Sequence, residues 1–322
     1  MFWLASPSAF ADTALDKVIQ EFLGRTFVTA ALLSDDEVVK FGIWDFNPND
    51  VVDLESEGFG SEESSRLRES LKQISVPFRW RISEEGSADA FSIAMKVAFL
   101  EYQEDLQLVP SDESRLDRST EQVLSAGGGF GYTKRIDQHW ELVLESYLTW
   151  MRYDSDVDFN TTQSRTIQPV FDGLLTNIET EFLMAEPAVG VNYNWARNSI
   201  RYQAFSKYHY LAGRYFSADI RAHEATAAAW YWSNGVGFKK PIVSDAGAHH
   251  ALWFRLTRTD MGGDLDGVLG ENHYYEAGIA WLVDAPKRIR LLDNVGLGIN
   301  LNYGSELQGG TLILLYNVEG FR

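Results

Sequence analysis

Apolar and polar positions alternate with a period of two along most of this chain. In Asn294–Tyr303, Val295, Leu297, Ile299, Leu301 and Tyr303 fall on one face, and Gly296, Gly298, Asn300 and Asn302 on the other. Successive side chains of a β-strand point to opposite faces, so this segment reads as a two-faced strand. The same pattern recurs in Glu37–Phe46, around Val76–Ile82 and Phe91–Phe99, and in the runs carrying Leu124–Tyr132, Trp140–Trp150, Val189–Trp195, Ile200–Tyr210, Trp230–Phe238, Leu252–Leu256, Tyr275–Val283 and Leu312–Val318. The apolar faces bear Trp, Tyr and Phe near their ends, and the opposite faces are rich in Gly, Ala, Asn and scattered charge. A soluble sandwich would turn its apolar faces inward. This combination predicts an all-β fold: a closed antiparallel transmembrane β-barrel of about twelve strands of roughly 9–11 residues, with lipid outside and a polar lumen.

The predicted connections sort by length. Short or moderate ones fall at Glu84–Ser87, Arg135–Gln138, Ala196–Ser199, Lys239–Asp245 and Asp284–Leu292. Long ones occupy Asn47–Ser75, Gln103–Thr120, Arg152–Pro187, Leu211–Arg221 and Asp260–Glu271. Outer-membrane barrels alternate short periplasmic turns with longer external loops in this way; the tight hairpin Gly304–Gln308 is the exception. Upstream, Leu15, Val18, Ile19, Phe22 and Leu23 repeat at helical spacing, with Asp12 or Thr13 as the expected cap. An even strand count then makes residues 12–36 a luminal helix or plug, and residues 37–322 the barrel. Fourteen strands, two of them N-terminal, is the alternative. The small residues on the inward faces leave volume for such a helix.

Composition narrows the function classes. The net charge of −18 argues against nucleic-acid binding, and with no cysteine the fold stands without disulfides. There is no apolar run long enough for a spanning helix, an observation that leaves a strand-built barrel untouched. Ala9 and Ala11 before Asp12 fit a secretory cleavage site, so residues 1–11 read as the remnant of a signal peptide.

A strand count near twelve, an export signal and a helix-like segment before the first strand resemble the translocator barrel of autotransporters. With almost nothing between Ala11 and that segment to serve as passenger, Asp12 to Arg322 resembles the solitary outer-membrane autotransporter-type β-barrel family of proteobacteria. The resemblance rests on architecture and length. It implies a monomeric integral barrel of the Gram-negative outer membrane, a plugged or narrow pore or a surface scaffold. Its partners would be outer-membrane lipids, lipopolysaccharide and the barrel-insertion machinery, and it implies no catalytic residues. The chain departs from the family's usual ending: Phe321 is out of phase with Leu314, Tyr316 and Val318, and Arg322 follows it.

The inward faces carry both signs of charge, Arg79, Arg81, Lys96, Arg201, Lys207 and Arg255 against Glu141, Glu145 and Glu276. Opposed charges in a lumen either set solute selectivity or pair and seal it. Two other function classes stay open: an outer-membrane lipid-modifying hydrolase, and a soluble β-barrel binding an apolar ligand. A hydrolase would need a His with a hydroxyl or activated water and a carboxylate. None of His139, His209, His223, His249, His250 and His273 assembles such a set in the sequence. His209 with Tyr210, and His273 with Tyr274 and Tyr275, read instead as interfacial belt residues. Asp260–Gly267 fails the calcium-loop spacing and reads as a solvated loop. No cofactor or metal is expected.

Overall fold

The computed structural model describes residues 7–35, 44–46, 70–83, 87–110, 114–242, 249–284, 294–306 and 308–316. Helix α1 spans Pro7–Leu33. The strands follow in chain order: β1 (Trp44–Phe46), β2 (Leu71–Arg81), β3 (Asp89–Leu106), β4 (Asp117–Arg135), β5 (Trp140–Asp158), β6 (Glu179–Arg197), β7 (Ile200–Ala218), β8 (Thr226–Ile242), β9 (His250–Gly263), β10 (His273–Asp284), β11 (Asn294–Tyr303) and β12 (Gly309–Tyr316). Helix α2 (Thr162–Phe171) lies between β5 and β6, and a short 3-10 turn, Arg221–His223, between β7 and β8. From β2 to β12 each strand pairs antiparallel with the next. β12 pairs with β1 through Trp44↔Leu312, so the sheet order is β1-β12-β11-β10-β9-β8-β7-β6-β5-β4-β3-β2.

The two faces are sorted as the alternation predicts. Leu297 and Ile299 are 49% and 41% exposed, whereas Asn300 between β10 and β12 is 1% exposed. Ile74, Val76, Phe78 and Trp80 of β2, Phe130 of β4 and Trp281 of β10 likewise face outward. Glu145, Thr149, Lys207, Ser233, Thr257, Thr259 and Thr311 are buried on the inner face.

Strands β3 to β8 run 17 to 19 residues, far beyond the roughly 9–11 that span a bilayer. The ends of the long loops expected at 103–120 and 152–187, and most of the one at 211–221, are therefore strand. The reason is an inversion of pattern within one strand. Along β5 the outward residues are apolar from Trp140 to Trp150, Ser146 excepted, and then become Arg152, Asp154, Asp156 and Asp158. From the same point Met151, Tyr153 and Val157 turn inward and are buried. In β6 the outward Glu179 and Glu181 give way to Val189 and Val191, while Phe182 and Met184 face inward. The long-loop ends of these strands are thus polar outside and apolar inside, like a water-soluble sheet.

What fills that end is α1. Ile19, Leu23, Phe27, Val28 and Leu32 are fully buried, whereas Val18 and Phe22 on the other side remain exposed. Phe27 stacks on Phe182 of β6 at 4.4 Å and meets Tyr153 of β5 edge-on at 6.3 Å. Gly24 lets the helix approach β8 closely, since a Cβ there would lie 2.6 Å from the Thr226 carbonyl oxygen. The Gln20 amide donates to the Arg221 carbonyl (2.8 Å), and Arg25 donates to the carbonyl of Asp266. At the other end Gln73 of β2 donates to the Leu33 carbonyl, and Ser75 to that of Ser34 (3.1 Å). Elements as far apart in the sheet as β2, β5, β6 and β8 meet one helix, so the inner face is concave around it.

Several expectations need correction. The helix begins at Pro7, upstream of the cap expected at Asp12 or Thr13; proline is favoured in a first helical turn, where its missing N–H costs nothing. The loop 264–272 is no solvated excursion: Leu265 and Leu269 are buried against α1, and Asp264 accepts from the Ala228 N–H at 2.7 Å. The glycines of β4 leave room for neighbouring strands rather than for the helix. A Cβ at Gly127 would meet the Thr149 hydroxyl, and one at Gly129 the Tyr147 ring. The interior is not uniformly polar either: Ala251, Trp253, Ala280, Leu282, Ile313 and Leu315 form a second apolar cluster on the inner face. The strand expected over 37–46 is described only at Trp44–Phe46, and the phase of Phe321 lies outside the described residues.

Candidate functional site

Between the apolar core around α1 and the second cluster lies a layer of buried polar groups. Its centre is Asp35, two residues past the end of α1. The Tyr231 hydroxyl of β8 lies 2.5 Å from Asp35 Oδ2 and 2.5 Å from Glu186 Oε1 of β6. His209 of β7 stacks on the Tyr231 ring (centroids 4.2 Å apart, 15° between planes), with Nδ1 2.7 Å from Glu186 Oε1. All four side chains are buried, Asp35 the most accessible at 7%. Strand alternation puts Glu186, His209 and Tyr231 on the inner face, and adjacent strands bring them together; the end of α1 delivers Asp35. One ligand atom each from Asp35, Glu186 and His209 lie within 4.8 Å of one another, the one arrangement among the described residues that could hold a metal ion.

A second constellation joins β2, β5 and β7. Glu145 accepts from Arg79 and from Lys207, the latter at 2.5 Å, and Arg79 also donates to the Tyr147 hydroxyl at 2.8 Å. Register explains the meeting: Gly131 of β4 lies opposite Glu145 and has no side chain to block Arg79 reaching across from β2. A buried carboxylate holding two cations offsets part of their desolvation, and such a group is far costlier to break than to leave intact.

A family model described as the solitary outer membrane autotransporter β-barrel domain matches residues 24–318. The chain belongs to that family. Among solved structures, this solitary autotransporter-type chain is similar to the β domain of the Bordetella autotransporter Brka, with 13% identity over 76% of this chain and 87% of that one and a TM-score of 0.46. It is also similar to the transport unit of the autotransporter AIDA-I from Escherichia coli, with 10% identity, 77% and 82% coverage and a TM-score of 0.46. LpxR from Salmonella typhimurium matches at 6% identity, 74% and 86% coverage and a TM-score of 0.38. No curated protein matches the sequence.

The nine inward charges read from the alternation do not form one site in this solitary autotransporter-type fold. Arg79, Glu145 and Lys207 meet as described. Glu141 accepts from the Asn194 amide at 3.0 Å. Arg255 lies over the Phe205 ring at 4.4 Å and donates to the Thr257 hydroxyl at 3.2 Å. Glu276 is buried opposite Asn302 and Thr257, Lys96 is half-buried on β3, and Arg81 and Arg201 are exposed near the short-turn end.

Sequence reasoning missed Asp35, Glu186 and Tyr231, and misplaced His209 and Tyr274. Both of the latter are buried and inward; their neighbours Tyr210 and Tyr275 face out. The signal existed, because the alternation of β7 already placed His209 beside Lys207 on the inward side. Glu186 was hidden within a presumed loop. Of the other histidines, His223 Nε2 lies 3.0 Å from the Leu174 carbonyl, His139 Nδ1 lies 2.9 Å from that of Asn194, and His250 stacks on Trp281.

Proposed function

We propose that this chain is a closed, translocator-like barrel of the Gram-negative outer membrane, held shut by its own helix. On this reading residues 12–36 are the plug and 37–322 the barrel, β1 completes the cylinder against β2, and the lumen is sealed rather than conducting. The observation that carries it is the fully buried stripe of α1 from Ile19 to Leu32 inside the concave face. The outer surface supports the membrane placement. Along β5, Trp140 and Trp150 bracket an outward run that is apolar except for Ser146, and the ten-residue step between them spans about 33 Å of strand, or about 25 Å along the normal at a tilt near 40°. That matches the apolar band of an outer-membrane barrel. At the short-turn end Trp140, Tyr193, Trp195, Tyr202, Phe238 and Phe254 make a continuous chain of ring contacts, as an interfacial girdle requires. Beyond Trp150 the strands carry their charged outward residues past the bilayer, where a surface scaffold would display them to lipopolysaccharide and solvent.

Planar-bilayer recording tests the plug. The full chain gives no stepwise conductance, and a variant lacking residues 12–33 conducts in steps typical of an open pore. Steady ohmic steps from the full chain would contradict the proposal. Recovery of the protein from the soluble fraction without detergent would contradict the membrane placement.

A further inference from the structure

We infer that the outward face of β6, β7 and β8 at the short-turn end binds an anionic phospholipid of the surrounding bilayer, its phosphate held by Arg197 and Lys240. The inference rests on the membrane placement and names a lipid class for it. Register builds the site. Trp195 of β6 stacks on Tyr202 of β7 (centroids 5.1 Å apart, 8° between planes), and Tyr202 meets Phe238 of β8 at 6.3 Å. These three rings are neighbours in the ladder, through Trp195↔Tyr202 and Tyr202↔Phe238. Two residues further toward the turns, strand alternation returns Arg197 and Lys240 to the same outward face. Arg197 lies opposite Ile200, and Ile200 is one step past the pair Arg201↔Lys239, which sets it level with Lys240. Both cations are exposed. Their backbones are two strand spacings apart, about 10 Å, with Ile200 between them.

The depth is that of a lipid phosphate. Interfacial rings sit at the headgroup boundary. Two residues of strand are about 7 Å, or about 5 Å along the normal at a tilt near 40°. Cations at that step reach the phosphate layer while the rings meet the upper acyl chains. Across Ile200 the two long side chains can close on one phosphate, the guanidinium as a two-pronged donor and the ammonium as a point charge.

Charge selects the headgroup. At the long-loop end the outward cations Lys72, Arg118, Arg152 and Arg258 are held by Glu101 (2.6 Å), Asp105 (2.8 Å), Glu179 (2.7 Å) and Asp260 (2.6 Å). Among the described residues Arg197 and Lys240 have no such partner. Asp137, in the turn before β5, is engaged by the N–H groups of His139 and Trp140 at 2.7 and 2.8 Å. A zwitterionic headgroup would bring an ammonium beside two cations that the protein leaves uncompensated. A phosphodiester without an amine brings only the negative charge they lack.

Native mass spectrometry of the full chain in detergent micelles, titrated with phosphatidylglycerol or with phosphatidylcholine of the same acyl chains, tests this. A cation at an anionic lipid surface is worth roughly a fivefold gain in affinity. Arg197→Gln and Lys240→Gln should each weaken phosphatidylglycerol binding about fivefold, and the double variant about thirtyfold, with phosphatidylcholine binding unchanged. Arg152→Gln, at an outward cation already paired with acids, should change it less than about twofold. If the double variant loses heat-modifiable gel mobility and so has not folded, the two single variants decide. Equal affinity of the wild type for both lipids, full retention of binding in the double variant, or an equal loss in Arg152→Gln overturns the site. Lipid A binding as tightly as phosphatidylglycerol, and weakened as much by the double variant, also overturns it, because the ligand would then be a glycolipid of the other leaflet. A chain that stays in aqueous solution without detergent removes the membrane placement itself, whereas equal lipid affinities in a chain that needs detergent remove the site alone.

Discussion

Replacing Phe27 by alanine removes the side chain on which most of the docking of α1 turns. Phe27 is fully buried, stacked on Phe182 at 4.4 Å and edge-on to Tyr153 at 6.3 Å. Truncating a buried phenylalanine costs about 3–5 kcal/mol, of which the two ring contacts account for about 1–3 kcal/mol. The strands keep their hydrogen-bond ladders, so the loss falls on the helix–wall contact and leaves the sheet intact. At 1.36 kcal/mol per decade this is a drop of roughly two hundredfold to several thousandfold in the docking constant. Amide exchange over residues 19–33 should accelerate by that factor, up to the ceiling set by full release, while the amides of β4 to β8 keep their rates. Phe22→Ala on the exposed side of the same helix, at 44% exposure, should change exchange by less than about tenfold, since surface truncations cost about 0.5 kcal/mol. Equal effects at Phe22 and Phe27 would refute the packing argument, and loss of strand protection in Phe27→Ala would refute the independence of sheet and plug.

Three further outcomes follow from single contacts. Glu145→Gln leaves Arg79 and Lys207 (the latter 2.5 Å from the carboxylate) facing a neutral amide and should lower stability by about 3–5 kcal/mol, read from the urea midpoint; adding Lys207→Met should recover part of the loss. Gly24→Ala should speed trypsin cleavage after Arg25, because the new Cβ would lie 2.6 Å from the Thr226 carbonyl oxygen, even though alanine favours the helix itself by about 1 kcal/mol. At the long-loop end burial would raise the pKa of Asp117, but hydrogen bonds from the Ser164 hydroxyl and the N–H groups of Asn160, Thr161 and Leu108 outweigh it and hold the carboxyl below its ordinary value. Its contribution to anchoring α2 is thus complete above the ordinary aspartate range and lost as pH falls through the depressed folded value. Asp117→Ala should abolish that anchoring at every pH, seen as faster exchange over residues 159–171.

The outward and inward sides of the strands were legible where the period of two is unbroken: Leu297 and Ile299 fall on one face, Gly298 and Asn300 on the other. The full strand lengths were not legible, because the rule changes within a strand. In Trp150-Met151-Arg152-Tyr153 the apolar positions shift from even to odd numbers partway along β5, so a search for one unbroken phase stops at Trp150 and assigns the rest to a loop. The helix α1 was legible in the helical spacing of Leu15–Leu23, and the room beside it in the alanines of β8. Glu145 and Lys207 were visible as inward charges, but their partnership with Arg79 depends on strands far apart in sequence. Asp35 could not be placed at all, since its position is set by where α1 ends inside the fold.

The central claim is which face of the sheet meets lipid. The chain has no cysteine, so single cysteines at positions 295, 297, 299, 300, 301 and 302 can each carry a spin label in vesicles without background. Labels at Val295, Leu297, Ile299 and Leu301 should collide freely with oxygen dissolved in the bilayer, and those at Asn300 and Asn302 should be shielded from it. The opposite phase, or water-soluble relaxants reaching Leu297 and Ile299, would contradict the account.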